Sequence, residues 1–391
     1  MDIVKSFEFK LPTRVLFGVN LVDSLGEEVK ALGIQRLLLV TDKGVVNAGL
    51  LDRVTRALEA AGIKFTIFDS VEANPTPTTV HSGAELFRKN SCDGLVALGG
   101  GSPMDAAKAI GVQATHAGDI MDYSRRVGKP VQNITPPLVA VPTTAGTGSE
   151  VTWVSVLVDP VDKVKIVVPS PFIAATVAVV DPSLTVSLPP EVTASTGMDA
   201  LTHAIEAYVS IKSHPVADSL ALEAIQLISA NLREAVGNGD NLAARASMLL
   251  ASTMAGMAFV NASVGLSHAV AHALGGFFNI GHGIANAVML PPVMRLSLIG
   301  NPGKYADIAV AMGENIEGLS EMEAAREAVF AVESLAADIG IPQDLKQLGA
   351  DPARISDMAE ETMNQTGAYP FNPRKVGKRE IMQLFEQAFE Q

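Results

Sequence analysis

Up to about residue 185 the chain alternates two patterns: short unbroken apolar runs, and longer segments whose apolar residues recur every three or four positions. The runs at 36–41, 64–68, 94–98 and 138–141 predict strands buried on both faces, since a strand with one wet face would alternate apolar with polar residues. The segments 21–32, 50–61, 77–89 and 103–114 predict helices with one apolar stripe. Such alternation predicts an open α/β sheet of parallel strands. Residues 153–158 and 164–168, joined by Asp159, Pro160, Val161 and Asp162, predict a hairpin, and 176–180 one further strand.

The pattern changes after Asp181. Pro182, Pro189 and Pro190 interrupt the chain, and beyond them 217–235, 242–260, 322–339 and 378–388 all predict helix. A boundary near residue 188 follows, with an α/β domain over 1–188 and an all-helical domain over 189–391. At 391 residues the chain is too long for one ordinary core, and an apolar content of 48% suffices for two. Repeats, low-complexity tracts and flexible linkers are missing from the sequence. The halves are therefore expected to pack closely, with the active site in a cleft between them.

Charge narrows the function. Only 18% of residues are charged and the net charge is −13, which argues against a nucleic acid or an anionic membrane as partner. The single cysteine, Cys92, excludes an internal disulfide and a thiolate metal site, and fits a reducing cytoplasm. The first residues, Met1 to Lys5, lack the cationic and apolar segments of a secretion signal, and no stretch is read as approaching the ~20 apolar residues of a membrane span. A soluble, cytoplasmic protein is the expectation.

Histidine is scarce, with seven in the chain, yet four of the seven share a pattern with one aspartate. Asp199 and His203 are four apart, as are His268 and His272, which places each pair on one helical face. His282 follows between Gly281 and Gly283. One such pair alone is more often surface or core decoration than a ligand set. Two pairs with a glycine-flanked third histidine point instead to a divalent transition metal, because imidazole nitrogens with a carboxylate oxygen suit Fe2+ or Zn2+, whereas Mg2+ and Ca2+ favour oxygen alone. The donor types leave the choice between iron and zinc open. His81, His116 and His214 have no such company and read as surface or structural, and the methionines read as core.

A second chemistry lies in the first half. The strand ending at Leu98 runs into Gly99, Gly100, Gly101, Ser102, Pro103, Met104 and Asp105 as a helix begins. Ser102 fits a helix N-cap, Pro103 the first helical position and Asp105 the closing carboxylate of a capping box. A cap needs no three preceding glycines. Residues without Cβ let a ligand reach the backbone, with N–H groups and a helix dipole facing a phosphate. A second small-residue loop, with Thr143, Thr144 and Thr147, follows the next strand, and two such loops make a groove for a dinucleotide. Neither matches the Gly-x-Gly-x-x-Gly fingerprint. Asp42, at the end of the first long strand, could bind a ribose 2′-hydroxyl and repel a 2′-phosphate, favouring NAD over NADP; an ordinary turn is the competing reading.

Four segments together resemble the iron-dependent (group III) alcohol dehydrogenase family: Gly99 to Lys108, Pro142 to Thr152, Gly197 to Glu206, and Gly265 to Gly275 continuing through Gly281, His282 and Gly283. Within that family the chain looks most like the members acting on lactaldehyde (1,2-propanediol), 1,3-propanediol and methanol. The resemblance implies that Asp199, His203, His268 and His282 bind the metal while His272 lies beside it. It also implies that Asp42, Asn74, the segment from Gly99 to Asp105, Thr143, Thr144, Thr147 and Lys165 line an NAD site. The implied fold is dehydroquinate synthase-like, an α/β dinucleotide-binding domain followed by an all-α domain, in homodimers or larger assemblies. Residues 7–12 and 14–17 would be short strands pairing across such a dimer.

The substrate implied is a small alcohol or aldehyde. Val154, Phe259 and Val264 form an apolar wall in this reading, narrowed by Tyr369 and Phe371, which suits short, fairly apolar alcohols. The metal would acidify the alcohol, NAD would take the hydride, and His272 would relay the proton or orient a neighbour. Two other readings compete. A lyase of the dehydroquinate synthase kind would need a basic cluster for a phosphorylated substrate, and none is evident near these motifs. A catalytically silent metal- or NAD-binding protein would keep the ligands without turnover.

Overall fold

The computed structural model describes residues 6–160 and 164–390. They form two compact units, one of Leu11–Ser187 and one of Leu188–Gln391 together with the described residues up to Lys10.

The first unit contains β1 (Arg14–Phe17), α1 (Leu25–Ala31), β2 (Arg36–Asp42), α2 (Lys43–Asn47), α3 (Leu50–Ala60), β3 (Lys64–Val71), α4 (Pro77–Lys89), β4 (Gly94–Gly99), α5 (Gly101–Thr115), β5 (Leu138–Pro142), β6 (Val154–Asp159), β7 (Val164–Pro169) and β8 (Val177–Val180). Six of these strands make one parallel sheet in the order β1-β8-β5-β4-β2-β3. Alternate residues of the same strand enter different cores. Leu38, Val40, Leu95 and Ala97 join the cluster containing Met104 and Ile110 of α5, while Leu37, Leu39, Val96 and Leu98 join the one containing Val54 and Leu58 of α3. Both faces of β2, β4 and β5 are covered, which is why they read as unbroken apolar runs, whereas β3, expected to be equally buried, is an edge strand with Ile67 exposed.

From β2 the chain moves outward to β3, then returns to β4 on the other side of β2 and continues to β5. The ends of β2 and β4, at Asp42 and Gly99, therefore flank the point where strand order reverses, the usual place for a ligand in an open α/β sheet. β6 and β7 form the expected antiparallel hairpin. Val161 and Asp162 of its connection lie outside the described residues, as do Met1 to Lys5.

Several expectations are corrected here. Segment 21–32 divides into a 3-10 turn, Leu21–Ser24, and α1. Residues 14–17 form the expected strand, β1, at the edge of the sheet, where it pairs in parallel with β8 of its own chain, with Arg14 N–H donating to Thr176 O at 3.1 Å. The described part of 7–12 forms no strand. Both backbone groups of Lys10 bond the Asn261 side chain, and the Phe7 ring stacks on His214 at 4.4 Å, so local side-chain contacts replace the ladder.

The second unit is helical: α6 (Pro190–Val209), α7 (Pro215–Gly237), α8 (Leu242–Ala262), α9 (Leu266–Phe278), α10 (His282–Ser297), α11 (Pro302–Ala311), α12 (Glu321–Asp338), α13 (Ile355–Asn364) and α14 (Lys378–Glu390). Contrary to the reading that no stretch is span-like, α8 and the stretch His282–Gly300 are long and apolar enough to cross a membrane. More than half of each lies buried against neighbouring helices, as in the core of a helical unit. α10 carries Pro291 and Pro292 in its interior, where proline ordinarily signals an end.

Candidate functional site

Three helices of the second unit bring the sequence-predicted ligands together. Asp199 and His203 lie one turn apart on α6, His268 and His272 one turn apart on α9, and His282 is the first residue of α10. α10 can start there because Gly283 leaves room: a Cβ at that position would stand 2.5 Å from the Ser195 carbonyl oxygen of α6. Any side chain would push His282 away from Asp199.

One ligand atom from each of Asp199, His268 and His282 lies within 4.8 Å of the other two, a trio that does not include His203. Asp199 Oδ1 is 4.0 Å from His268 Nε2 and 3.8 Å from His282 Nε2, and Asp199 Oδ2 is 4.0 Å from His203 Nδ1. The His203 and His268 ring centroids are 4.4 Å apart. These separations are too long for hydrogen bonds. They suit atoms arranged about one ion, since donors ~2.1 Å from a tetrahedral metal stand about 3.4 Å from each other. His203 Nδ1 is moreover buried without a hydrogen-bond partner. Leaving an imidazole nitrogen dry and unpaired is costly, and a cation at this point removes the cost. Three nitrogens and one oxygen thus fit Fe2+ or Zn2+.

Two further side chains hold this set. Buried Glu206, one turn past His203, accepts from His268 Nδ1 at 2.6 Å and from the backbone N–H groups of Gly265 at 2.8 Å and Ser267 at 2.5 Å. Burial pushes its carboxyl up to about 7, and the N–H donors pull the other way. With Nδ1–H engaged by Glu206, His268 presents Nε2 to Asp199. Asn286, fully buried and one turn into α10, donates to Asp199 Oδ1 at 2.7 Å and stands 3.3 Å from His282 Nε2. Sequence reading missed Asn286. Its signal was the helical spacing from His282.

His272 is half-buried, its ring centroid 5.2 Å from that of His282, and its Nδ1 is 3.1 Å from Gln365 Oε1. Gln365 in turn donates to Glu361 at 2.6 Å. Phe259 stacks on His203 at 4.3 Å and gives the cluster an apolar wall. Val264 is half-buried between α8 and α9. Val154 belongs to the other unit, where its carbonyl accepts from Lys108 at 3.0 Å. Tyr369 bonds the Val376 carbonyl, and the Phe371 ring lies beneath Lys212 Nζ.

In the α/β unit, the glycine turn departs from its expected form. α5 begins at Gly101, its N-cap is Gly100, and no side chain caps it. Ser102 and Pro103 are already helical; proline is tolerated because the first N–H groups of a helix lack intrahelical partners. Ser102 Oγ bonds the Ala73 carbonyl at 2.6 Å, beside exposed Asn74, and Asp105 accepts from Ser149 Oγ at 2.9 Å and from Val156 N–H at 3.1 Å. The capping box is therefore replaced by ties to other loops.

The glycines also serve the fold. Gly99, at φ 148°, would place a Cβ 2.6 Å from Pro103, while Cβ atoms on Gly100 and Gly101 would meet Thr144 at 3.1 Å and Thr147 at 3.0 Å. Thr143 N–H donates to Gly99 O at 3.0 Å. The two small-residue loops thus lie in contact at the ends of β4 and β5. Asp42 ends β2 and caps α2 by accepting from Val45 N–H at 2.9 Å. Lys165 lies on β7 opposite Val158; burial raises the Asp105 carboxyl, with Lys108 and, more weakly, Lys165 pulling the other way.

Known proteins are similar to this chain along nearly its whole length. The family model of iron-containing alcohol dehydrogenase matches residues 12–182, and the C-terminal model of the Fe-containing alcohol dehydrogenase family matches 193–389. The chain is 49% identical to 1,3-propanediol dehydrogenase of Citrobacter freundii, covering 98% of this chain and 99% of that one. It is 40% identical to the NAD-dependent methanol dehydrogenase of Bacillus methanolicus, over 97% and 99% of the two chains. The crystal structure of a 1,3-propanediol oxidoreductase superposes with a TM-score of 0.96 at 48% identity, covering 98% of this chain and 100% of the other. The chain belongs to the iron-containing alcohol dehydrogenase family and is, with it, a metal-dependent oxidoreductase that exchanges hydride between NAD(H) and an alcohol–aldehyde pair.

Proposed function

We propose that this enzyme interconverts a short, fairly apolar alcohol or diol with its aldehyde, that Asp199, His203, His268 and His282 hold the metal, and that residues 1–188 hold NAD while 189–391 hold the reacting oxygen. The observation that carries the reading is the set of three histidine nitrogens 3.8–4.0 Å from the carboxylate oxygens of Asp199, with His203 Nδ1 buried and unpartnered. A divalent ion there supplies Lewis acidity, which acidifies an alcohol and polarises an aldehyde.

The chain's own residues do the rest. Glu206 and Asn286 fix the donor orientations, and Phe259 keeps water from one side of His203. His272, oriented by Gln365, would take the hydroxyl proton of an alcohol at a ring nitrogen and return it in reduction, while NAD, when bound, would supply the hydride acceptor. Thr143, Thr144, Thr147, Ser102, Pro103, Asn74, Lys165 and the backbone from Gly99 to Asp105 receive the dinucleotide. Asp42 discriminates against a 2′-phosphate, because a carboxylate would face it. Phe259 and Val264 favour substrates without large polar groups. Names of the relatives support small substrates, since one acts on 1,3-propanediol and another on methanol.

The test is direct: NADH absorbance is followed with a panel of short alcohols, diols and aldehydes, using protein purified without oxygen and analysed for iron and zinc. Turnover that scales with metal content and prefers NAD to NADP is expected; full activity without metal, or equal kcat/KM for the two cofactors, refutes the respective assignment. The assembly is a homodimer or larger in this reading, as the resemblance implies, and its mass in solution decides. Cytoplasmic residence fits the one unpaired, buried cysteine, Cys92; localisation of a tagged chain tests it.

A further inference from the structure

The α/β unit contains a lysine that the chemistry above does not use. The Lys108 side chain, on α5, has no solvent exposure. Its Nζ donates to Ser149 O at 2.7 Å, Ser149 Oγ at 2.9 Å, Val154 O at 3.0 Å and Thr152 Oγ1 at 3.1 Å. An ammonium group has three protons, so these acceptors occupy them all. Every one of them belongs to the end of the second small-residue loop or to the start of β6. Asp105, one turn earlier on α5, meets the same segment through Ser149 Oγ and Val156 N–H, and its backbone carbonyl accepts from Ser155 Oγ at 2.7 Å.

We infer that Lys108 is a positioning residue for the cofactor: it clamps the loop 143–152 against the glycine turn and so sets the separation of the two surfaces between which the dinucleotide lies. The inference rests on the reading that these loops receive NAD. Two independent features support it. Lys108 and Asp105 lie on the helix that begins with the glycine turn, so pulling on Ser149 and Thr152 draws the loop toward Gly100 and Gly101. Those glycines are where Thr144 and Thr147 make their closest approach. A loop held only by its own turn, at Val151 N–H to Gly148 O and Thr152 N–H to Ser149 O, would keep its shape but have no fixed distance from α5. Lys108 touches neither solvent nor, with its donors occupied, a ligand. Its effect on binding is therefore indirect.

The experiment compares the unmodified, metal-loaded enzyme with Lys108→Met and Thr152→Val by calorimetric titration of NADH, metal analysis and amide hydrogen exchange. Lys108→Met is expected to raise the NADH Kd about tenfold or more, as for loss of hydrogen bonds to a charged group. It should speed exchange over 143–152 while leaving metal content and exchange in α6 and α9 unchanged. A purely structural role would instead accelerate exchange everywhere and lose metal as well, which overturns the inference. So does a folded Lys108→Met protein with NADH Kd within about twofold of the original, a difference below one ordinary hydrogen bond. If Lys108→Met does not fold, Thr152→Val, lacking one acceptor, is expected to raise Kd about threefold, and an unchanged Kd refutes the clamp. Failure of the unmodified enzyme to bind NADH refutes the cofactor reading instead, and exchange over 143–152 in the variants then still decides whether Lys108 holds the loop.

Discussion

The metal cluster and the glycine turn build their sites from opposite materials. Around Asp199 everything depends on side chains: five buried or half-buried polar residues on three helices, with two more, Glu206 and Asn286, fixing their orientation. At the glycine turn the working surface is backbone, and the side chains that matter, Lys108 and Asp105, act from beneath it. A side-chain site is damaged by changing one ligand. A backbone site is damaged by whatever moves the loop.

The contrast is broken most severely at His268. His268→Ala removes a donor and leaves Glu206 buried beside a void; kcat/KM should fall about a thousandfold or more, given that metal electrostatics supply several kcal/mol. Metal content should drop with it, while NADH affinity stays within twofold of normal by titration, an expectation on the order of one hydrogen bond's uncertainty. A His268→Ala protein that keeps its metal and loses NADH would reverse the roles of the two regions.

His272→Ala sharpens the same boundary from inside the cluster. If the residue relays protons without binding metal, stoichiometric metal is retained and kcat falls about a hundredfold, with a flattened pH profile. Loss of the ion would make His272 a ligand.

Glu206→Gln probes orientation without removing a donor. Glutamine keeps one acceptor oxygen, so its NH2 group must face either Ser267 N–H or the pair of Gly265 N–H and His268 Nδ1, and metal affinity should fall about tenfold, read by competition with a chelator.

The smallest effect belongs to Lys108. Burial lowers its pKa from 10.5 to about 8, opposed by Asp105 and Glu150. Below pH 8 the folded and unfolded forms are both protonated and the full penalty of the buried ammonium applies. Between about 8 and 10.5 the unfolded chain keeps the proton that the folded chain sheds, so stability rises with pH through that window. The slope is at most about 1.4 kcal/mol per pH unit, and subtracting the urea denaturation of Lys108→Met at each pH isolates it. An identical pH dependence in both proteins would remove Lys108 from the titration.

What the sequence disclosed follows the same division. Asp199, His203, His268 and His282 are legible because histidine is scarce in the chain and the Asp199/His203 pair stands at helical spacing. Glu206, one turn past His203, reads as either a support for the ligands or a solvated carboxylate, and Asn286 is not legible at all, because their partners come from other helices: Glu206 meets His268 and Asn286 meets Asp199 across large sequence separations. The inner strands of the sheet are legible because both faces are covered. Helix α10 is harder, since Pro291 and Pro292 argue locally for an end that burial between neighbours overrides. At the glycine turn, the missing Cβ atoms suggested a ligand, and the helix start was misplaced by two residues because Gly100, not Ser102, is the cap. Part of the need for glycine there comes from Thr144 and Thr147, a contact between loops that no local pattern encodes.

The pairing of β1 with β8 carries a consequence in time. Residues 14–17 emerge from the ribosome early, yet their ladder is completed by residues 177–180. The edge of the sheet cannot close until nearly the whole α/β unit has been synthesised. Non-local parallel pairing of this kind is slow to form, because a long loop must close before any contact rewards it. The interior strands β2, β3 and β4 can meet first, and the opening strand of the chain is then the last piece of its sheet to dock.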